Sequence, residues 1–322
     1  MEETMRRDAD AIADHFRLTR RQMLMLGSSG LAALAFGLSA RPARAVGNVA
    51  LGDAEVTIVS DGTLTLPLSF IAPDVPKDEL DALLKANGMA TDAVTPDCNV
   101  TFLRSGDRLV VFDVGSGSNF MPTAGKLLAN LEETGIDPSE VTDVVFTHAH
   151  PDHLWGLVDD FDEMIFPEAN YYIGQAEWDF WRADDTLAAM PEERKTFVVG
   201  AQSRLAVLED RINLINPGAE VVPGVEAIDT SGHTPGHLSY MLHGGSEQLL
   251  VIGDAISSSV ISFAHPEWPY GSDQDPQKGI ETRTALIDRL ASDKAHVVGY
   301  HLPHPGKGRV EKDGTAYRFA AG

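Results

Sequence analysis

Along the chain, short alternating or continuous apolar runs, bounded by turn residues, are interleaved with stretches whose apolar positions recur every three or four residues. That rhythm predicts strands alternating with helices. Glu55 to Ser60 and Thr63 to Leu66 alternate on either side of Asp61-Gly62, which predicts a hairpin turning there. Val100 to Leu103 and Arg108 to Phe112 flank Ser105-Gly106-Asp107 as a second strand pair. Pro122 to Glu133 follows with Leu127, Leu128 and Leu131 at helical spacing, and Val144-Val145-Phe146 is a short apolar strand running into a His-rich segment. The second half repeats the plan. Glu226 to Ile228 leads to another His-rich turn, Leu238 to Leu242 and Leu249 to Ile252 are strands, Pro276 to Leu290 is a helix, and Val297-Val298 is a last strand before His301. Between the halves, Gln175 to Arg182 and Pro191 to Arg211 are predicted helices, the latter with Phe197, Leu205 and Leu208 free to face a core or cover a cleft.

Composition narrows the class. With 322 residues, 43% hydrophobic and 23% charged, the chain can build a sizeable core and is not disordered, collagen-like or coiled-coil. No linker is long enough to separate domains, and no tandem repeat occurs. Lys+Arg 25 against Asp+Glu 48 gives a net charge of −23, with no local basic stripe, which excludes a nucleic-acid partner. The single cysteine, Cys98, excludes an internal disulfide, a Cys-rich zinc ribbon and a dithiol redox pair, so any metal is expected on His and carboxylates.

The first 45 residues read as an address. Thr19-Arg20-Arg21-Gln22-Met23-Leu24 opens an uncharged run from Met23 to Ala40, and Ala43-Arg44-Ala45 supplies a small-x-small cleavage pattern. The paired arginines before a mildly hydrophobic, Gly- and Ser-containing stretch resemble a twin-arginine signal, whose export machinery carries folded proteins. The expectation is residues 1–45 as a cleaved signal peptide, residues 46–322 as one catalytic domain, and a periplasmic or secreted location. A retained membrane anchor is the alternative. Residues 1–45 hold seven basic and five acidic side chains, so the mature body would be more acidic still, at −25.

The chemistry lies in the histidines. Three of eleven fall in His148-Ala149-His150-Pro151-Asp152-His153, directly after a predicted strand. Imidazoles with a carboxylate and no thiolate suit a catalytic divalent-cation site rather than a closed structural one. A second cluster, Gly232-His233-Thr234-Pro235-Gly236-His237, also follows a strand, while Asp254 and His301 each close one. Five candidate His ligands and two Asp are too many for one tetrahedral ion and right for two sharing a bridging carboxylate.

In order and type these residues resemble the metallo-β-lactamase-fold hydrolases, with the motif His-x-His-x-Asp-His, a later His, a later Asp and a final His, over about Ala54 to the C-terminus. Within that superfamily, Ser60-Asp61-Gly62-Thr63, Phe112-Asp113-Val114-Gly115 and His301-Leu302-Pro303-His304-Pro305-Gly306 resemble methyl parathion hydrolase and its lactonase and arylesterase relatives. The resemblance implies an α/β fold, a four-layer αββα sandwich. It implies one metal on His148, His150 and His233, another on Asp152, His153 and His301, and Asp254 between them, with zinc foremost and manganese, iron or cobalt as alternatives. His237 would sit behind the ligands. Asp61 and Asp113 would either orient ligand imidazoles or bond their own turns. Phe120, Trp181 and Phe197 match the family's pocket walls or are ordinary core aromatics, and His243, His265, His296 and His304 carry no motif support.

The implied reaction is hydrolysis of a small-molecule lactone or aryl ester, with phosphotriesters as a side activity, by a hydroxide shared between the metals. Asp152 would pass a proton to the leaving group. An acyl-homoserine lactonase is the enzymatic alternative, and a non-catalytic metal-binding protein retaining the fold is the other; a homodimer is compatible with either. A β-lactamase lacks the bridging Asp that Asp254 would supply, and a flavin-linked di-iron reductase carries Glu where this chain has His150.

Overall fold

A computed structural model describes residues 46–322. The expected signal and its cleavage site lie outside the described residues. The strands, in chain order, are β1 (Val46–Leu51), β2 (Ala54–Thr63), β3 (Leu66–Pro67), β4 (Ala93–Val94), β5 (Asp97–Ser105), β6 (Arg108–Phe112), β7 (Asp143–Val145), β8 (Asn170–Gly174) and β9 (Ile212–Ile215). They continue with β10 (Glu220–Val222), β11 (Val225–Asp229), β12 (Leu238–Gly244), β13 (Glu247–Val251), β14 (His296–Val298), β15 (Lys307–Asp313) and β16 (Ala316–Ala321). Two seven-stranded sheets result, one in the order β1-β2-β5-β6-β7-β8-β9 and one running β10 to β16 in sequence order, with β3 and β4 as a separate two-stranded ribbon.

The layer order follows from side-chain alternation. Along β6, Leu109 and Val111 enter a core with Leu127, Leu131, Val198 and Leu205, which come from helices Leu127–Thr134 and Lys195–Val207. Val110 and Phe112 point the other way, into a core shared with Val225, Tyr240, Leu242 and Val251 of the second sheet. On that sheet Leu250, Ile252 and Val297 face Leu286, Ile287 and Leu290 of helix Pro276–Asp293. Alternate residues of one strand therefore serve different cores, the period-two consequence of the pleat. The result is the four-layer αββα sandwich. Each buried Val, Leu, Ile or Phe contributes about 1.5–3 kcal/mol, so the central sheets are the most expensive part of the fold to open. Among the described residues no helix is long and apolar enough to cross a membrane.

One predicted turn moves. Asp61-Gly62 does not reverse the chain: β2 runs through it to Thr63, and the hairpin forms instead between β1 and β2, at Gly52-Asp53. The reason is a register shift between Ser60 and Thr63 opposite β5, where Gly62 (φ 99°) bridges Ala124. A Cβ on Gly62 would lie 2.2 Å from the Thr123 carbonyl, so Gly serves a close approach there, not a turn.

Candidate metal centre

Strand direction gathers the site. β7 runs parallel to β6, and β13 parallel to β14; β11 points the same way as β13, because each pairs antiparallel with β12. The carboxyl ends of β7, β11, β13 and β14 thus open on one edge of the sandwich, delivering His148 to His153, His233, Asp254 and His301. Cross-sheet bonds hold the edge together: Leu238 N–H donates to the Thr147 carbonyl (3.0 Å), Tyr240 Oη to the Phe146 carbonyl (2.7 Å) and Tyr300 Oη to the Asp152 carbonyl (2.6 Å). Gly253, at φ 51°, admits the turn into Asp254; a Cβ there would meet His237 Nε2 at 2.7 Å.

Three ring nitrogens converge on one side. His150 Nδ1 lies 3.0 Å from His148 Nε2 and 2.9 Å from His233 Nε2. The protons on the outer rings can be placed from their far sides. His233 Nδ1 faces the Asp273 carboxylate at 3.1 Å, so it carries the proton. Thr147 Oγ1 gives its only proton to Asp113 Oδ2 (2.8 Å) and must accept from His148 Nδ1 (3.0 Å). Both Nε2 atoms therefore aim lone pairs at His150 Nδ1, which can donate well to at most one of them. Burial pushes the pKa of His148 and His150 well below the ordinary imidazole range, and the neighbouring imidazoles add to it. Neutral rings with inward lone pairs are what a cation requires.

The other side is anionic. Asp152 Oδ2 stands 3.1 Å from His301 Nε2 and 3.4 Å from His153 Nε2. Asp254 reaches both groups, with Oδ1 3.2 Å from His153 Nε2, and Oδ2 3.2 Å from His301 Nε2 and 3.4 Å from His233 Nε2. Again the outer nitrogens are committed: His153 Nδ1 to Asp113 Oδ2 (2.8 Å) and His301 Nδ1 to the Asp97 carbonyl (2.8 Å). Burial alone would raise Asp254, but His301 and His153 outweigh it and hold the carboxyl well below the usual range. Burial alone would lower His153, but Asp152, Asp254 and Asp113 raise it.

Asp152 Oδ2, His153 Nε2 and Asp254 Oδ1 are buried without a hydrogen-bond partner. Such orphans are costly unless something cationic meets them, and the donor set, imidazole plus carboxylate, fits divalent metal ions. Three ligand-type triads, His148-His150-His233, His148-His153-Asp254 and Cys98-Asp152-His301, each have their donor atoms within 4.8 Å of one another. The thiol was not anticipated. Although any metal was expected on His and carboxylates alone, buried Cys98 lies within reach of Asp152 and His301, its pKa pushed up to about 12 by burial.

The supporting residues divide. His237 accepts the Asp254 N–H on Nε2 (3.0 Å) and bonds Thr230 Oγ1 through Nδ1 (2.8 Å); burial lowers its pKa to about 3, so it stays neutral and fixes the Asp254 backbone. Asp113 touches His153 directly. Asp61 bonds no imidazole; it accepts from Ser116 N–H and Oγ (2.9 Å each), Gly125 N–H (3.3 Å) and Leu127 N–H (2.8 Å), pinning the loop beside the site. Phe120 and Phe197 line an apolar cavity of about 280 Å³ that opens onto His150, Asp152, His233, Asp254 and His301. Trp181 does not line it. Fully buried, it packs edge-on behind His150, with ring centroids 5.7 Å apart.

Sequence reasoning missed Glu177, Asp273, Arg283 and Gln274. Glu177 accepts from Ala149 N–H (2.9 Å) and Trp181 Nε1 (2.6 Å) on one oxygen, and from Thr234 Oγ1 (2.6 Å) and Gly236 N–H (3.1 Å) on the other, tying both histidine loops together. Its signal was a carboxylate four residues before Trp181 on one helix, hence on the same buried face. Arg283, nearly inaccessible, holds Asp273 against His233 (Nη1 to Oδ2, 3.0 Å). Ser272-Asp273-Gln274-Asp275-Pro276 reads as a helix start, with Asp275 capping Lys278 N–H (3.0 Å), and that local signal hides Asp273 and Gln274.

Comparison with known proteins agrees with the geometry. The family model described as the metallo-beta-lactamase superfamily matches residues 94–300. Among solved structures, AidC, a dizinc quorum-quenching lactonase in complex with the product N-hexanoyl-L-homoserine, superposes with a TM-score of 0.81 at 28% identity, over 86% of this chain and 97% of that one. The hydrolase AbOPH of the beta lactamase superfamily gives 0.80 at 29% identity, over 86% and 97%. Metallo-beta-lactamase domain-containing protein 1 of Xenopus laevis is 24% identical over 209 residues, 61% of this chain and 68% of that protein.

Proposed function

The chain belongs to the metallo-β-lactamase superfamily, and from that premise we propose that this hydrolase is an exported, binuclear metal-dependent enzyme cleaving lactones or aryl esters, with phosphotriesters as a side activity. The observation that carries the reading is the pairing of two ligand groups around Asp254 with a largely apolar cavity opening onto them. His148 Nε2, His150 Nδ1 and His233 Nε2 would hold one cation, and Asp152, His153 and His301 the other. Asp254 touches both groups and would join them. Bound there, two divalent cations lower the pKa of water and polarise the scissile carbonyl or phosphoryl oxygen.

The remaining work falls to the chain. Leu66, Phe70, Phe120, Met121 and Phe197 would take the hydrophobic part of the substrate and exclude water from it. Asp113, Asp273 and the Asp97 carbonyl keep the ligand rings in the required tautomers. Asp152, which lines the cavity beside His301, would pass a proton from the attacking water to the departing alkoxide. Residues 1–45 are read as the export signal, and the exported protein would begin at Val46, which N-terminal sequencing checks.

A second reading is favoured by one comparison: AidC is a quorum-quenching lactonase, so acyl-homoserine lactones belong among the candidate substrates. The test is metal content per chain together with turnover of a γ-lactone, N-hexanoyl-homoserine lactone, an aryl ester and a phosphotriester, before and after chelation. Two metals and chelator-sensitive lactone or ester turnover are expected. A protein that takes up metal yet hydrolyses none of the four would instead be a binding protein retaining the fold.

A further inference from the structure

In the His148-His150-His233 triad, the far nitrogens of His148 and His233 meet groups already committed by Asp113 and Asp273, whereas that of His150 meets an amide that can turn to donate or accept. Its Nε2 lies 3.3 Å from the amide of Gln274, whose backbone N–H is anchored to the His233 carbonyl at 3.0 Å. With Nε2 of Gln274 facing the ring, the amide donates, so His150 Nε2 is the lone pair and Nδ1 carries the proton. That arrangement suits the protein without a cation, because the Nδ1 proton then enters the pair of lone pairs from His148 and His233. It leaves Gln274 Oε1 buried without a partner.

A cation on His150 Nδ1 reverses the ring. The proton moves from Nδ1 to Nε2, with no change in total charge, and now faces an amide N–H. Donor against donor is repulsive, and the orphaned oxygen remains. Half a turn about the last side-chain torsion of Gln274 removes the clash and satisfies Oε1, leaving only the amide nitrogen without a partner. We propose that Gln274 is a positioning residue for the metal site whose amide turns with metal loading: Oε1 accepts the His150 Nε2 proton when the cation is bound, and the amide N–H donates to the bare ring when it is not. This inference rests on the binuclear reading above and deepens it.

Two substitutions separate acceptor from shape. Gln274→Glu keeps size and can only accept; Gln274→Met keeps size and can do neither. With zinc as probe and affinity measured by chelator competition, Gln274→Met is expected to weaken the tightest-affected site about ten- to a hundredfold, as lost support of a ligand imidazole does elsewhere. Gln274→Glu is expected to bind at least as tightly as wild type. A nitrogen-proton NMR spectrum of the zinc-loaded wild type, assigned through His150→Asn, should show a His150 Nε2 proton protected from exchange. That protection should be lost in Gln274→Met and kept in Gln274→Glu. Weakening of Gln274→Glu to the level of Gln274→Met, or an unprotected Nε2 proton in the loaded wild type, would overturn the proposal. If Gln274→Met does not fold, the Glu variant and the wild-type spectrum decide. Failure of the wild type to take up two zinc ions would instead overturn the binuclear reading itself.

Discussion

His153 Nδ1 donates to Asp113 Oδ2 at 2.8 Å, and Asp113 reaches it from a left-handed backbone at φ 63°. Asp is among the few non-glycine residues that adopt that conformation readily. The same carboxylate accepts from Thr147 N–H at 2.7 Å and from Thr147 Oγ1 at 2.8 Å, and through Thr147 it sets the proton on His148. One side chain therefore orients a ligand in each of the two groups that Asp254 touches.

Asp113→Asn should accordingly disturb both ligand groups. If Asn keeps its oxygen on Thr147 N–H, its amide nitrogen confronts the His153 and Thr147 donors. Relieving that conflict returns a proton to His153 Nε2 or His148 Nε2, the atoms that face inward. Zinc affinity is expected to fall about ten- to a hundredfold, measured by chelator competition, with the far-ultraviolet circular dichroism unchanged. Unaltered affinity would show that Asp113 serves its turn alone.

Glu177→Gln tests the tie between the histidine loops. Glu177 receives two donors on each oxygen, and burial raises its carboxyl pKa against the four hydrogen bonds that lower it. An amide in its place turns an NH₂ toward two of those donors, with a cost of about 1–3 kcal/mol for each buried group left unpaired. At about 2–4 °C per kcal/mol for a domain of this general size, the melting temperature should drop by several degrees. Trp181→Phe, which removes a single donor, should cost less, and a larger drop for Trp181→Phe would mean that packing behind His150, not the carboxylate, holds the loops.

How much of this the sequence disclosed follows from the range of each interaction. The histidine motif and the ends of β7, β11, β13 and β14 were legible because alternation and strand-end placement are local signals. Helix Gln175–Arg182 has the bounds expected of it, and helix Pro276–Asp293 exceeds its expected end by three residues. The Asp61-Gly62 turn was misplaced because Gly can mark a close approach as well as a reversal, and only the register against β5 distinguishes them. Trp181 was open between pocket wall and core because an aromatic on a helix beside the site carries no sign of which side of His150 it takes. Asp273 and Glu177 were invisible for the same reason as most supporting residues: their partners lie 40 and 57 residues away, at His233 and Thr234.

Tyr171, like buried Tyr240, Tyr270 and Tyr300, contributes to an alkaline limit of the fold. Its hydroxyl donates to the Phe166 carbonyl at 2.6 Å within the helix-side core, and burial raises its pKa above the ordinary phenol value, against a smaller lowering from Arg211. The unfolded value is near 10. Below about pH 10 both states keep the proton, and the contribution of the group is fully present. Above that the unfolded chain ionises while the native one does not, until its own raised pKa is reached, so stability falls as pH rises. Tyr171→Phe should lose about 1 kcal/mol at neutral pH yet show a shallower decline from pH 9 to 11 in denaturant midpoints; parallel declines would place the alkaline limit elsewhere.

Arg194 bears on selectivity. Among the described residues it is the one lysine or arginine lining the apolar cavity; its guanidinium lies 5.4 Å from the centre of the Phe70 ring and donates to the Gly271 carbonyl. Burial lowers its pKa, with Glu193 and Asp273 opposing. A guanidinium has five donors in a fixed fork, so one bond to a carbonyl leaves donors for a ligand oxygen. A hydrogen bond to a charged group contributes about 1.5–3 kcal/mol, equivalent to roughly ten- to a hundredfold in kcat/KM. Arg194→Met keeps the apolar wall and removes the fork. Esters and lactones carrying an amide or carboxylate oxygen away from the scissile bond should therefore lose about ten- to a hundredfold in kcat/KM, while purely hydrocarbon-substituted substrates change less than threefold. A uniform loss across both groups would mean that Arg194 braces the Phe70 and Gly271 wall and does not read the substrate.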